Sequence, residues 1–118
     1  MAATSTRIIT ITYTGEVVGS EIISAEPNAS SPASITIHSL TTNTNTITLP
    51  TGGSTVRAAT IVPPTGNTQT ITLKGTTTDT GLIVSSSNPT SIAFGTTPPT
   101  SIILNAGNVI EGLRIFWT

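Results

Sequence analysis

Apolar residues along this chain alternate with threonine and serine in short runs. That period of two belongs to extended backbone, which points successive side chains to opposite faces. Residues 7–14 put Ile9, Ile11 and Tyr13 on one face and Ile8, Thr10 and Thr12 on the other. Gly15 interrupts the run. Residues 16–25 resume it, with Val17-Val18 and Ile22-Ile23 around Gly19, a place for a bulge or bend. Residues 34–40 set Ile35, Ile37 and Ser39 on one face. A polar turn over 41–45 leads to a strand over 46–49, with Ile47 and Leu49 inward. The Pro50-Thr-Gly-Gly-Ser54 stretch is a turn whose glycines permit positive φ.

Residues 55–62 and 68–74 read as a central hairpin joined by Pro63-Pro-Thr-Gly-Asn67. Ile71 and Leu73 face inward there, with Thr70, Thr72 and Lys74 outward. Strands over 82–85, 91–94, 100–104 and 109–117 follow, each cut off by a Pro, Gly or Asn cluster. About eight strands at a spacing of roughly ten residues predict an all-β, antiparallel β-sandwich, jelly-roll-like, with little or no helix. Residues 26–33, Glu-Pro-Asn-Ala-Ser-Ser-Pro-Ala, are loop by composition. They divide the chain into an N-terminal β arm or hairpin with its Pro/Ser-rich linker, 1–33, and a sandwich domain, 34–118.

The last strand carries more than core. Leu113, Ile115 and Trp117 form its inward set, while Gly112, Arg114 and Phe116 face the other way. An aromatic beside an arginine on the outer face marks Arg114 and Phe116 as candidate interface residues. Arg7 and Ile8, at the head of the N-terminal arm, join them, since an arm ahead of a linker suits strand addition to a neighbour. So apolar an end is expected to be docked rather than frayed.

Composition sharpens this picture. Only 8% of the 118 residues are charged, and threonine hydroxyls supply most of the polarity. Between Glu26 and Lys74 the one formally charged side chain is Arg57. Solitary β-proteins guard their sheet edges with charge, so a homo-oligomer or assembly subunit is expected. The net charge of -1, with Arg7, Arg57, Lys74 and Arg114 scattered, argues against a nucleic-acid partner. The absence of cysteine removes disulfides and thiolate chemistry. No apolar stretch has the length of a membrane span, and residues 1–7 have no apolar signal region. Synthesis in a cytoplasm, with no signal peptide and no membrane partner, is the expectation.

Motifs for chemistry are thin. Asp79-Thr-Gly81 resembles the aspartic-protease tripeptide, but threonines precede it and Leu82-Ile83 follow, and Asp-Thr-Gly is also a common turn. His38, the only histidine, lacks the partners that a triad or a metal site needs. Glu16, Glu21, Glu26 and Glu111 read as solvated carboxylates rather than a glycosidase pair. Thr51-Gly-Gly-Ser-Thr55 has no lysine and no helix to make a phosphate loop. Asn28-Ala-Ser30 fits a glycosylation acceptor and indicates an exposed loop. Tyr13, Phe94, Phe116 and Trp117 are too few for a sugar platform. No catalytic residue, metal or cofactor is expected.

The stretch Ile61-Val-Pro-Pro-Thr-Gly-Asn-Thr-Gln-Thr-Ile-Thr-Leu-Lys-Gly75, continuing through Asp79-Thr-Gly81, resembles small virion proteins of tailed bacteriophages. The closing Val109-Ile-Glu-Gly-Leu-Arg-Ile-Phe-Trp117 adds to the likeness, which covers residues 44–118. The resemblance implies a non-enzymatic structural protein, commonly a sandwich or jelly-roll trimer. Such proteins decorate or cement a capsid against the major capsid protein or other virion proteins. A tail or fibre subunit is the first alternative, and a carbohydrate- or receptor-binding module the second.

Overall fold

The computed structural model describes residues 7–13, 19–25, 34–50, 56–95 and 97–118. The expected break at Gly15, the loop at 26–33 with Asn28, and the Thr51–Thr55 stretch lie outside the described residues. Ten strands are present among the described residues: β1 (Ile8–Tyr13), β2 (Gly19–Ala25), β3 (Ser34–Leu40), β4 (Asn43–Thr48), β5 (Ala58–Val62), β6 (Ile71–Lys74), β7 (Leu82–Val84), β8 (Thr90–Ala93), β9 (Ser101–Ala106) and β10 (Ile110–Trp117). No α-helix occurs among the described residues.

β1 and β2 form a two-stranded antiparallel sheet of their own. The other eight make two four-stranded antiparallel sheets, β3-β10-β5-β8 and β4-β9-β6-β7. The all-β sandwich expected from the alternation is therefore present. Its pairing is nested: β3 with β10, β4 with β9, β5 with β8 and β6 with β7. The chain is one long ribbon, doubled back at the β6–β7 turn and then wound so that its successive strand pairs fall alternately in the two sheets. Further pairs, β10 with β5 and β9 with β6, close each sheet.

The central hairpin is not formed. β5 lies between β10 and β8 in one sheet, and β6 between β9 and β7 in the other. Pro63 follows β5 and cannot donate to a ladder, and eight residues separate the two strands, more than a tight hairpin loop holds. The Pro-Pro-Thr-Gly-Asn stretch instead crosses from sheet to sheet. Asn67 N–H donates to the Pro64 carbonyl at 3.1 Å, with Gly66 at φ 79°, the positive φ that a type II turn requires at its third residue.

Other boundaries shift as well. The polar turn over 41–45 shortens, because Asn43 adopts φ 76° and opens β4 three residues early. Gly19 begins β2 instead of bending it, and the register irregularity in that sheet lies opposite Ile9 and Thr10.

One core fills the space between the two large sheets. Ile47 and Leu49, Ile71, and the inward set Leu113, Ile115 and Trp117 are all buried in it, as their alternation predicts. Ile102, Leu104 and Ala106 of β9 face them. Burial of this apolar surface is the main favourable term for so small a domain, at about 25 cal/mol per Å² removed from water. β10 keeps Ile110 and Leu113 both buried although they are three apart. Gly112, at φ 81°, is the extra residue of a β-bulge that restores the inward phase.

A candidate interface on the outer face of one sheet

The outer face of the β3-β10-β5-β8 sheet follows from its registers. Arg114 lies between Ile37 of β3 and Val62 of β5. Phe116 lies between Ile35 and Thr60, and Thr60 pairs in turn with Ser91 of β8. Two cross-strand rows result, Ile37–Arg114–Val62 and Ile35–Phe116–Thr60–Ser91. The side chains of the opposite parity on β10 and β5, Leu113, Ile115, Trp117, Ala59 and Ile61, are in the core.

β3 is inverted relative to an ordinary sandwich strand. Its isoleucines face outward, Ile35 at 58% and Ile37 at 72% exposure, while Thr36 and His38 point inward, half-buried. The inward polar groups are paired. The Trp117 indole N–H donates to Thr36 Oγ1 at 2.8 Å, and the same oxygen lies 2.7 Å from His38 Nε2. Burial pushes the His38 pKa below the ordinary imidazole value, which favours the neutral ring. With a neutral ring whose Nε2 is the acceptor, the Thr36 hydroxyl donates to His38 and accepts from Trp117, so both its capacities are used.

The four residues singled out from the sequence fall on this face. Arg7 and Ile8 sit across an open cleft of about 360 Å³ from Thr60, Val62, Pro89 and Phe116. Arg7 donates to Ser91 Oγ at 3.1 Å. Arg114 does not line the cleft. Its guanidinium lies over the Phe116 ring, 5.6 Å from the centroid, a cation–π distance. The sequence reading missed Ile35 and Ile37 as exposed residues. The signal was available: apolar residues at 35, 37 and 40 cannot share one face of a regular strand, so burying Leu40 sends both isoleucines outward.

The remaining candidates have local roles. Asp79 Oδ2 accepts from the Gly75 and Thr76 backbone N–H groups at 2.8 and 2.9 Å, so its carboxylate closes its own loop. Gly81 follows at φ 76°, where a Cβ would come within 2.7 Å of the Leu73 carbonyl oxygen. Asn67 ties two loops together, donating to the Gln69 and Ser86 carbonyls. A second cleft, about 260 Å³, opens between Leu73, Ile92, Phe94, Pro99 and Ile102, with Lys74 at its edge. Among the described residues no group of three or more His, Asp or Glu side chains could hold a metal ion. Comparison with family models, with curated proteins and with solved structures finds no match to this chain.

Proposed function

We propose that this protein is a non-enzymatic structural subunit of a tailed-bacteriophage virion, a decoration or cement protein bound to the head. The observation that carries the reading is the outer face just described. Ile35, Ile37 and Phe116 stand there beside Arg114 in a chain with almost no charge to keep that face apart from others. Contiguous exposed apolar side chains on a small domain mark contact surfaces. The nested strand order supports a jelly-roll reading of the sandwich, an architecture that virion proteins use among others. The likeness of residues 44–118 to small phage virion proteins supplies the biological setting. In it the protein works as repeated copies against the major capsid protein or other virion proteins, where weak contacts multiply with copy number.

The test is direct. Purified protein is mixed with phage heads lacking accessory proteins, and bound copies are located by electron microscopy. Regular density on the capsid lattice is expected, with binding reduced when Phe116→Ser or Arg114→Glu is introduced. Absence of binding to heads, or density confined to the tail, would reject the decoration role. Deleting residues 1–25 tests the arm, and unchanged binding would show that the arm does not hold the capsid.

A further inference from the structure

We infer that β3 is a self-pairing edge: two copies of this chain join antiparallel along Ser34–His38 about a two-fold axis, extending one sheet across both molecules. This contact is a statement about the chain's own partner and does not depend on where the copies sit.

Among the described residues the edges of the two large sheets are β3, β8, β4 and β7. Three of them are blunted. β7 has three residues and β8 four, with Pro89 directly before β8. β4 presents threonines at 44, 46 and 48, and its Asn45 side chain donates to the Thr41 and Asn43 carbonyls beside it. The small β1–β2 sheet carries a register irregularity opposite Ile9 and Thr10, and such bulges discourage further pairing.

β3 has none of these devices. It runs for seven residues, contains no proline, and leaves the irregularity of its ladder to Gly112 on β10. It also has no Asp, Glu, Lys or Arg, so an identical strand meets no like charge. The whole chain carries a net charge of only -1, so two copies repel each other little on approach. An identical strand is therefore the partner that the electrostatics of this edge accept.

Side chains choose the register. Centring the two-fold on Thr36 places Ile35 of each copy opposite Ile37 of the other on the outer face. Directly opposed residues bring their Cβ atoms to about 4.5–5.5 Å, and β-branched cross-strand pairs of this kind are stabilising. Four isoleucines that stand uncovered in the single chain then cover one another, and the ladder gains roughly four to six main-chain hydrogen bonds. A two-fold contact is closed and isologous. It gives a dimer, rather than the three-fold ring that the resemblance implies.

The experiment is sedimentation and light scattering of the full chain from micromolar to near-millimolar concentration. Wild-type protein is expected at twice its 12.0 kDa mass at the upper end. Ile37→Lys, at a side chain already exposed in the single chain, should raise the dissociation constant at least tenfold while leaving the urea midpoint of the monomer unchanged. Ile83→Lys, equally exposed but on β7, should leave the dimer intact. Backbone hydrogen exchange supplies a second readout, with amides of β3 gaining protection as concentration rises. A wild-type chain monomeric throughout, or a dimer indifferent to Ile37→Lys, overturns the inference. So does a dimer broken equally by Ile83→Lys. A protein that dimerises in this way yet binds no phage head supports the β3 contact and rejects the virion role.

Discussion

At the scale of single residues, Thr36 holds two rings in place. Its hydroxyl stands between the Trp117 indole and the His38 imidazole, on the inward side of an edge strand. The sequence identified Trp117 as core from its position in an alternating run. Nothing in the same run tied Thr36 to Trp117, because the bond joins residues 81 apart along the chain. His38, which offered the sequence no catalytic or metal-binding partners, is half-buried and hydrogen-bonded. Its pKa is depressed by burial, so the unfolded chain binds the proton more readily than the folded one. The corresponding stability is whole above the unfolded value of about 6.5, and drains away as pH falls from there through the lower folded value. Urea midpoints of wild type and His38→Gln, compared from neutral to mildly acidic pH, should show the wild type losing stability more steeply on acidification. Parallel curves for the two proteins would mean that His38 titrates as it does in the unfolded chain.

At the scale of elements, the alternation located nearly every sandwich strand but could not pair them. Period-two patterning says which side chains share a face and is silent about which strand lies alongside. Residues 55–74 show the consequence. Two strands with a turn between them satisfy the local grammar of a hairpin, yet β5 already has β10 on one edge and β8 on the other. The candidate interface was legible in part for the same reason. Arg114 and Phe116 share the outward parity of β10, so their exposure and company could be read from the run. The cleft partners Thr60, Val62 and Pro89 arrive through long-range pairing that no local pattern encodes. The bulge at Gly112 is intermediate, since the odd spacing of Ile110 and Leu113 requires an extra residue and glycine is the one beside it. A Cβ at Gly112 meets only Pro64 Cβ, at 4.0 Å, so space does not forbid alanine there. The cost of Gly112→Ala is then the left-handed backbone alone, about 1–2 kcal/mol. Deleting Gly112 should do far more, because Ile110 or the Leu113–Ile115–Trp117 set must then face away from the core. Equilibrium urea unfolding separates the two, with a shifted but cooperative transition for the substitution and none for the deletion. A deletion variant as stable as the substitution would show that the bulge does not set the phase.

At the scale of the whole molecule, the described core is built within the sandwich. Among the residues whose burial is described, every member of the buried cluster lies between Leu40 and Trp117, and every ladder of the two large sheets lies within residues 34–117. The described contacts of the arm with the sandwich include the bond from Arg7 to Ser91, which is solvent-exposed, and the cleft that Arg7 and Ile8 share with the outer face. An exposed polar contact of this kind contributes about 1 kcal/mol or less. Residues 34–118 alone should therefore unfold cooperatively, with a urea midpoint close to that of the full chain. The same truncation uncovers Thr60, Val62 and Phe116, so it should add apolar surface next to Ile35 and Ile37 and strengthen binding of a hydrophobic dye. A fragment that fails to fold would place part of the stabilising core in the arm. A fragment that folds without binding more dye would mean that Ile8 shields little of the outer face. In the expected case the sandwich is a self-sufficient scaffold, and the arm is left free to serve as a cover over half of its contact face, with the β3 side open to a neighbour.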